Sequence, residues 1–393
     1  MTTTPEFDLI VYGATGFTGR LVAEVLAGTS GLGKEVRWAM AGRSAAKLAE
    51  VRDAIGAPKD TPLVVADAAD PASLAAMVGR TKAIITTVGP YQLYGSALVA
   101  ACAAAGVDYF DLCGEPAWMR HMIDAHHATA QKSGARIMLS CGFDSIPFEM
   151  GVWFLQQEAV KRFGAPCPRV KGRVRAMQGG FSGGTAYSLK ATMAAAAKDP
   201  SILELLRSPF ALTPGFEGAA QPHGMKPMLD TDLDSWVAPF VMAPINTKTV
   251  HRSNFLRGNA YGTNFVYDEM MIAGPGEGGE KMAQAMAAAG ASMGGEGGPK
   301  PGEGPSQHER ETGMYNVLFV GIAADGRQIR VTVTGDRDPG YGSTSKMIAA
   351  TAVCLARDVP DVAGGVWTPG AALGQKLIDR LVGQAGLTFS VDD

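Results

Sequence analysis

A short apolar run that leads straight into three spaced glycines restricts this chain more than any other stretch. Asp8-Leu-Ile-Val-Tyr12 is followed by Gly13, Gly16 and Gly19, and Leu21, Val22, Val25 and Leu26 then recur at helical intervals. Residues 7–12 therefore read as a buried parallel strand, and the glycines occupy a strand-to-helix turn. Such a turn needs residues without a Cβ, because the chain bends sharply and its backbone must come close to a pyrophosphate. The phosphates then rest against free N–H groups at the positive end of the helix. The spacing is Gly-x-x-Gly-x-x-Gly rather than Gly-x-Gly-x-x-Gly, so the strand before it and the helix after it carry as much of the reading as the glycines do.

The second strand, Val36-Arg-Trp-Ala-Met-Ala41, ends at Gly42-Arg-Ser44, with Lys47 following. A site for NAD places a carboxylate there to accept from the ribose 2′-hydroxyl. Here the place holds a guanidinium, a hydroxyl and a nearby ammonium, which suit a 2′-phosphate. Arg43 can also lie flat on the adenine. NADP(H) is the expected cofactor, and a solvated basic helix start is the bland alternative.

Strand-like and helix-like runs alternate through the first third. Strands end at Asp67, at Thr87-Val-Gly-Pro-Tyr91, at Cys113-Gly-Glu115 and at Cys141-Gly-Phe-Asp-Ser-Ile-Pro147. This alternation predicts an α/β fold with a doubly wound parallel sheet of Rossmann type, whose ligands bind beyond the carboxyl ends of the strands. A long helix is expected from about Pro147. After Pro166 the pattern turns to α+β: a strand over 169–177, a helix over 185–197, long loops over 212–244, and a hairpin around Asp325-Gly326. The expected division is a nucleotide domain over 1–165, an inserted α+β domain over 166–335, and helices within 336–393 returning to the first domain. The Gly/Glu/Met/Ala-rich stretch 274–305 could hold a helix with Met282, Met286, Ala289 and Met293 on one face, as a lid or as ordinary packing.

The net charge of -3 gives no electrostatic reason to expect nucleic acid. The five cysteines lack Cys-x-x-Cys spacing, so reduced thiols, no metal and a cytoplasmic setting are expected. No apolar run approaches a membrane span of ~20 residues, although peripheral contact at the inner face of a plasma membrane stays open. In the loops, Tyr91 either donates a proton or packs on the nicotinamide; packing is the safer reading for a phenol with a pKa near ~10. Asp144 is a general acid or base, a holder of a substrate amine, or the cap of the helix at Pro147. Cys113 and Cys141 are small packing residues or reactive thiols. No Ser/Tyr/Lys arrangement of the short-chain dehydrogenase kind is present, and no His-Glu-x-x-His.

Taken together, the Val-Tyr-Gly-Ala-Thr-Gly-Phe-Thr-Gly run ending at Gly19, Ala41-Gly-Arg-Ser44, Val88-Gly-Pro-Tyr91, Asp111-Leu-Cys-Gly-Glu115 and Gly142-Phe-Asp-Ser-Ile-Pro147 resemble the saccharopine dehydrogenase-like oxidoreductases. Ser182-Gly-Gly-Thr185 and Asp338-Pro-Gly-Tyr-Gly-Ser-Thr344 make the chain more similar to the trans-acting enoyl reductase branch. The resemblance implies an NADP-linked Rossmann domain interrupted by an α+β domain that shapes the substrate pocket and often a homodimer contact. It carries cofactor roles to Gly13, Ala14, Thr15, Gly16, Phe17, Thr18 and Gly19, and to Arg43, Ser44 and Asp67. Lys47, Val88, Gly89, Pro90, Tyr91 and Gly114 complete the expected cofactor set. Cys113, Cys141, Gly142, Ser145, Ser182 and Thr185 are expected on the substrate side, with Tyr91 and Asp144 as catalytic candidates.

Three functions compete. The first is NADPH-dependent reduction of a lipid-like enoyl thioester, which the resemblance implies is delivered by an acyl carrier working with a polyketide synthase. Its enolate would need donors around Gly114, Gly142 or the 182–185 turn. The second keeps the fold and changes the substrate to an imine or keto compound, with Asp144 holding an amine. The third is a nucleotide-bound or lipid-associated protein without turnover.

Overall fold

The structure, a computed structural model, describes residues 4–28, 30–180, 183–291 and 302–392. Its first layer begins with β1 (Leu9–Tyr12), whose four side chains are all buried, as a strand covered on both faces requires. β2 (Trp38–Gly42), β3 (Leu63–Val65), β4 (Ala83–Thr86), β5 (Asp108–Phe110) and β6 (Arg136–Met138) follow, each separated by helix. The second layer holds β7 (Arg169–Gln178), β8 (Met228–Asp230), β9 (Ser235–Pro239), β10 (Val266–Gly274), β11 (Met314–Ile322) and β12 (Gln328–Gly335). β13 (Gly365–Trp367) then joins the first sheet, and β14 (Leu387–Asp392) joins the second.

The first sheet runs β13-β6-β5-β4-β1-β2-β3, every pair parallel. Tyr12 pairs with Ala41 on one side and Thr86 on the other. Strand order therefore reverses between β1 and β4, and the crevice at that switch point is where a doubly wound sheet takes its ligand. The loops after β1, β2 and β4 open side by side there. The second sheet runs β14-β12-β11-β7-β10-β9-β8; only β10 and β7 are parallel.

One apolar core joins the layers. It runs from Leu9, Val11 and Ile85 through Phe143 and Phe148 to Phe319 and Val331, while a second cluster fills the other face of the parallel sheet around Ile10, Ile84 and Tyr109. The predicted helix at Pro147 is present as Ile146–Phe163, with Pro in its first turn. It packs on the second sheet rather than on the first alone. A Cβ on its Gly151 would come within 2.3 Å of the Phe319 ring, and Phe148 meets Phe319 at 6.5 Å between centroids.

Three differences from the sequence expectation have physical causes. The expected loops over 212–244 contain β8 and β9, strands too short to show a period of two. The Ala243–Leu256 helix has no apolar stripe to betray it, because apart from Val250 its buried side chains are the polar Asn246, Lys248, Thr249, His251, Arg252, Ser253 and Asn254. The C-terminal segment does not stay with the nucleotide domain. The Thr344–Arg357 helix packs on the Phe17–Ala27 helix, and Arg357 donates to the Glu35 carbonyl, but β14 crosses to pair with β12. The Gly276–Ala291 helix is formed and lies against β9 and β10, yet among its described residues the buried ones are Gly279 and Ala283; Met282 and Ala289 face outward, Met286 is half-buried and Met293 lies outside the described residues. Among the described residues no helix is long and apolar enough to cross a membrane.

Phe319→Ala empties the notch above Gly151 and is expected to cost about 3–5 kcal/mol of stability. The check is the denaturant midpoint; a loss under ~1 kcal/mol would show that this contact does not hold the layers together.

Candidate functional site

The glycine turn is built by close approach. Gly13 has φ +88 and donates, with Ala14, to the Ala41 carbonyl; Gly16 donates to the Gly13 carbonyl at 2.9 Å. A Cβ on Gly19 would fall 2.1 Å from the Gly13 oxygen and 2.7 Å from Thr87 Oγ1, so any side chain there pushes the helix off the strand. The Phe17–Ala27 helix starts behind Gly16 with no side-chain cap and no acidic residue in its first turn. Its leading N–H groups are thus left for a ligand, at the positive end of the helix dipole. Ala14 is buried beneath the turn, Thr15 and Gly16 are exposed, and Phe17 and Thr18 are half-buried.

The tip of β2 abuts this turn: a Cβ on Gly42 would lie 3.6 Å from Thr15 Oγ1. Arg43 and Lys47 are exposed there, and neither forms an ion pair among the described residues. Ser44 accepts from Lys47 N at 3.4 Å as the cap of the following helix. Asp67, at the end of β3, accepts from Ala69 N at 3.0 Å and so shapes its own turn instead of neutralising Arg43. Both charges act on the phenol of Tyr12, which burial first and Asp67 second push up to about 12 while Arg43 opposes them. An uncapped helix start, a turn that excludes Cβ atoms and an unpaired guanidinium beside them fit a dinucleotide with a 2′-phosphate.

On the far side of β1, Val88 reaches the same turn, since a Cβ on Gly13 would meet its Cγ2 at 2.9 Å. Gly89 is exposed and Pro90 buried. Tyr91 is 5% exposed; its hydroxyl donates to the Thr86 carbonyl at 3.2 Å and accepts from Leu112 N at 3.1 Å. Burial holds the phenol well above its ordinary range. The ring packs on Trp118 at 5.6 Å between centroids and the hydroxyl is held by backbone groups, so the catalytic assignment of Tyr91 is corrected. Glu115, to which the sequence gave no role, organises this corner. Its buried carboxylate accepts from Tyr91 N, Gln92 N and Ser188 Oγ at 2.9, 2.8 and 2.9 Å. Gln92 Nε2 also donates to Thr192 Oγ1 at 3.0 Å, so the Gly183–Lys198 helix is docked on the loop after β4. Ser182 lies outside the described residues, and Thr185 is placed only as backbone of that helix.

The loops after β5 and β6 are locked by Asp111, which accepts from Cys113 N, Ser140 N and the Tyr109 hydroxyl. Burial pushes its carboxyl up to about 7. Several substrate-side expectations fail here, because the residues are under the surface. Cys113 and Cys141 are 0% exposed, and burial pushes both thiols well up, so they are packing residues. Gly142 is boxed between Leu112 and Thr344, and Ser145 is buried with its hydroxyl donating to Thr249 Oγ1 at 3.2 Å.

Asp144 behaves differently. It does not cap the helix at Pro147: Ser145 precedes that helix and no side chain caps it. The Oδ1 atom is buried with no hydrogen-bond partner among the described residues, and burial pushes the carboxyl up to about 7. Oδ2 lies 3.5 Å from where a Cβ on Gly114 would be, and Ile245 Cδ1 lies 3.6 Å from the same point. Gly114 is exposed, and the buried carboxyl lies against its bare backbone. Behind it Glu269 accepts from Asn246 Nδ2 and the Tyr267 hydroxyl, both at 2.9 Å, and burial raises it well above the usual carboxylate range, with Asp144 adding to the rise. A neutral carboxyl beside an apolar side chain can donate a proton. Among the described residues no cluster of three metal-ligating side chains is present.

Residues 9–138 match the saccharopine dehydrogenase NADP binding domain. A trans-acting enoyl reductase of Mycobacterium tuberculosis (strain ATCC 25618 / H37Rv) is 39% identical over 406 residues, covering 96% of both chains. A trans-acting enoyl reductase of Mycobacterium leprae (strain TN) is 37% identical over 405 residues, again 96% of both. Among solved structures, the apo saccharopine dehydrogenase (L-Glu forming) of Saccharomyces cerevisiae aligns with a TM-score of 0.55 at 10% identity. It covers 98% of this chain and 100% of that one, a likeness of fold.

Arg43→Ala is expected to weaken NADPH binding roughly ten- to hundredfold while changing NADH little, as loss of a charge-assisted contact predicts. Titrating both nucleotides by fluorescence checks this; an unchanged ratio between them would remove Arg43 from the site.

Proposed function

The chain belongs to the trans-acting enoyl reductase family, NADP-dependent oxidoreductases of saccharopine dehydrogenase-like fold, and from that premise we propose that it reduces the C=C bond of a lipid-like enoyl thioester with Asp144 as the proton donor. The observation that carries this reading is the buried Asp144 carboxyl, whose Oδ2 lies against the exposed backbone of Gly114 and whose Oδ1 has no partner among the described residues. NADPH supplies the hydride. The protein's share is to hold the enoyl group so that hydride reaches the β carbon and negative charge gathers on the thioester oxygen. The exposed backbone of Gly114 lies where that oxygen can be met by a donor, in a cleft walled by Ile245. Asp144, which burial raises to about 7 so that a large share stays protonated near neutral pH, then gives its proton to the α carbon.

The groups around Asp144 (Gly114, Ile245, Asn246 and Glu269) include no cation to hold an amino-acid carboxylate, which favours the thioester over the imine reading. The acyl chain would arrive on a carrier protein of a polyketide synthase, in the cytoplasm, with membrane contact at most peripheral. All five cysteines are buried and unbridged, in keeping with a reducing compartment. A homodimer is part of the same proposal.

Asp144→Asn is expected to lower kcat on enoyl thioesters by about 10²–10⁴ with NADPH affinity unchanged. In the unaltered enzyme kcat should fall as pH rises through about 7, because the donor is the protonated form. Stopped-flow NADPH oxidation reads both. Full activity of the Asn variant would sink Asp144 as donor, and inertness across chain lengths and carriers, with turnover of amino acid and keto acid pairs, would replace the thioester by the imine reading.

A further inference from the structure

Phe17, the first residue of the helix on the glycine turn, is enclosed by groups from outside its own domain. Tyr341 meets its ring edge-on at 5.2 Å, the Arg310 guanidinium lies 5.6 Å from the ring centre, and a Cβ on Gly304 would come within 2.6 Å of it. Gly304 and Arg310 belong to a strap, 302–313, that leads into β11, and Tyr341 to the 338–343 segment that follows β12. The two segments are tied. Asp338 N donates to the Arg310 carbonyl at 3.1 Å, and a Cβ on Gly313 would lie 2.5 Å from Asp338 Cα. The strap is internally braced by a capping box between Ser306 and Glu309 and by Arg310 Nη1 donating to the Pro305 carbonyl at 2.7 Å.

Arg310 therefore packs on the side chain of the first residue of the Phe17–Ala27 helix, and near the positive end of a helix a cation is unfavourable unless an anion lies close by. Among the described residues none is in contact, since Arg310 forms no ion pair there. Asp338, a carboxylate within its field, has its oxygens taken by Tyr341 N and Gly342 N at 3.0 and 2.7 Å. The first helical turn holds no acidic residue and no side-chain cap. A guanidinium without an ion pair among the described residues thus packs on the first residue of an uncapped helix start.

We propose that Arg310 is a cofactor-binding residue supplied by the second domain, donating to the pyrophosphate of NADP(H) and holding the 302–313 strap over the glycine turn. This rests on the NADP(H) site and is independent of the acyl substrate. Arg43 reads the 2′-phosphate that distinguishes NADPH from NADH; Arg310 addresses the pyrophosphate that both share.

The test is the Kd of NADPH and of NADH, by titration without substrate, for Arg310→Ala and Arg310→Lys. Arg310→Ala should weaken both nucleotides by the same factor, about tenfold or more, and Arg310→Lys should recover part of the loss. Hydrogen exchange on the unaltered protein should slow over 302–313 when NADP⁺ is added, a reading that needs no variant to fold. Unchanged affinity in Arg310→Ala, a loss confined to NADPH, or exchange over the strap that ignores NADP⁺ would each overturn the proposal. The Arg43→Ala titration shows separately whether the underlying NADP(H) site stands.

Discussion

The contact between the Gly13 carbonyl and the bare Cα of Gly19 governs the rest of this site. It brings the Phe17–Ala27 helix onto the end of β1 so closely that a methyl group could not be admitted. At that distance the helix start faces the crevice without a cap, and its dipole and free N–H groups become the strongest fixed attraction for an anion nearby. The surrounding chemistry follows: Val88 and Thr87 close one flank of the turn, Thr15 meets the tip of β2 on the other, and Arg43 stands beyond it unpaired.

The buried acids divide into two kinds. Asp111 and Glu115 are satisfied by backbone and hydroxyl donors, and each fastens one loop to another. Such groups hold the crevice in shape, because a buried acceptor without its donors would cost about 1–3 kcal/mol. Asp144 keeps an oxygen without a partner in the same buried environment. An unmet polar atom of this kind is a place where folding has been made less favourable than it could be, and here it belongs to a carboxyl that lies against exposed Gly114.

What the sequence made legible were features that depend on neighbours along the chain. The glycine turn, the Pro147 helix and the Asp325-Gly326 hairpin each follow from local sterics and periodicity, and each is present. Features set by distant neighbours were hidden. The Ala243–Leu256 helix buries polar side chains against carbonyls and acids from other segments, so it carries no apolar rhythm. Glu115 looks like any loop acid until the Tyr91 and Gln92 amides close on it. Cys113 and Cys141 sat in the right loops, but the strand ends turn them inward. Asp144 stands before Ser-Ile-Pro like a helix cap, and only its orientation toward Gly114 separates that reading from a chemical one.

β14 deserves a last thought for what it does to the molecule as a whole. The chain enters the second sheet after β6, returns to the first through the Thr344–Arg357 helix and β13, and crosses again to end on β12. Each layer is thus sewn to the other at more than one point, around a core that neither owns. Swinging the layers apart would break into that shared core, so short surface pieces yield to traffic through the crevice at lower cost than the frame does.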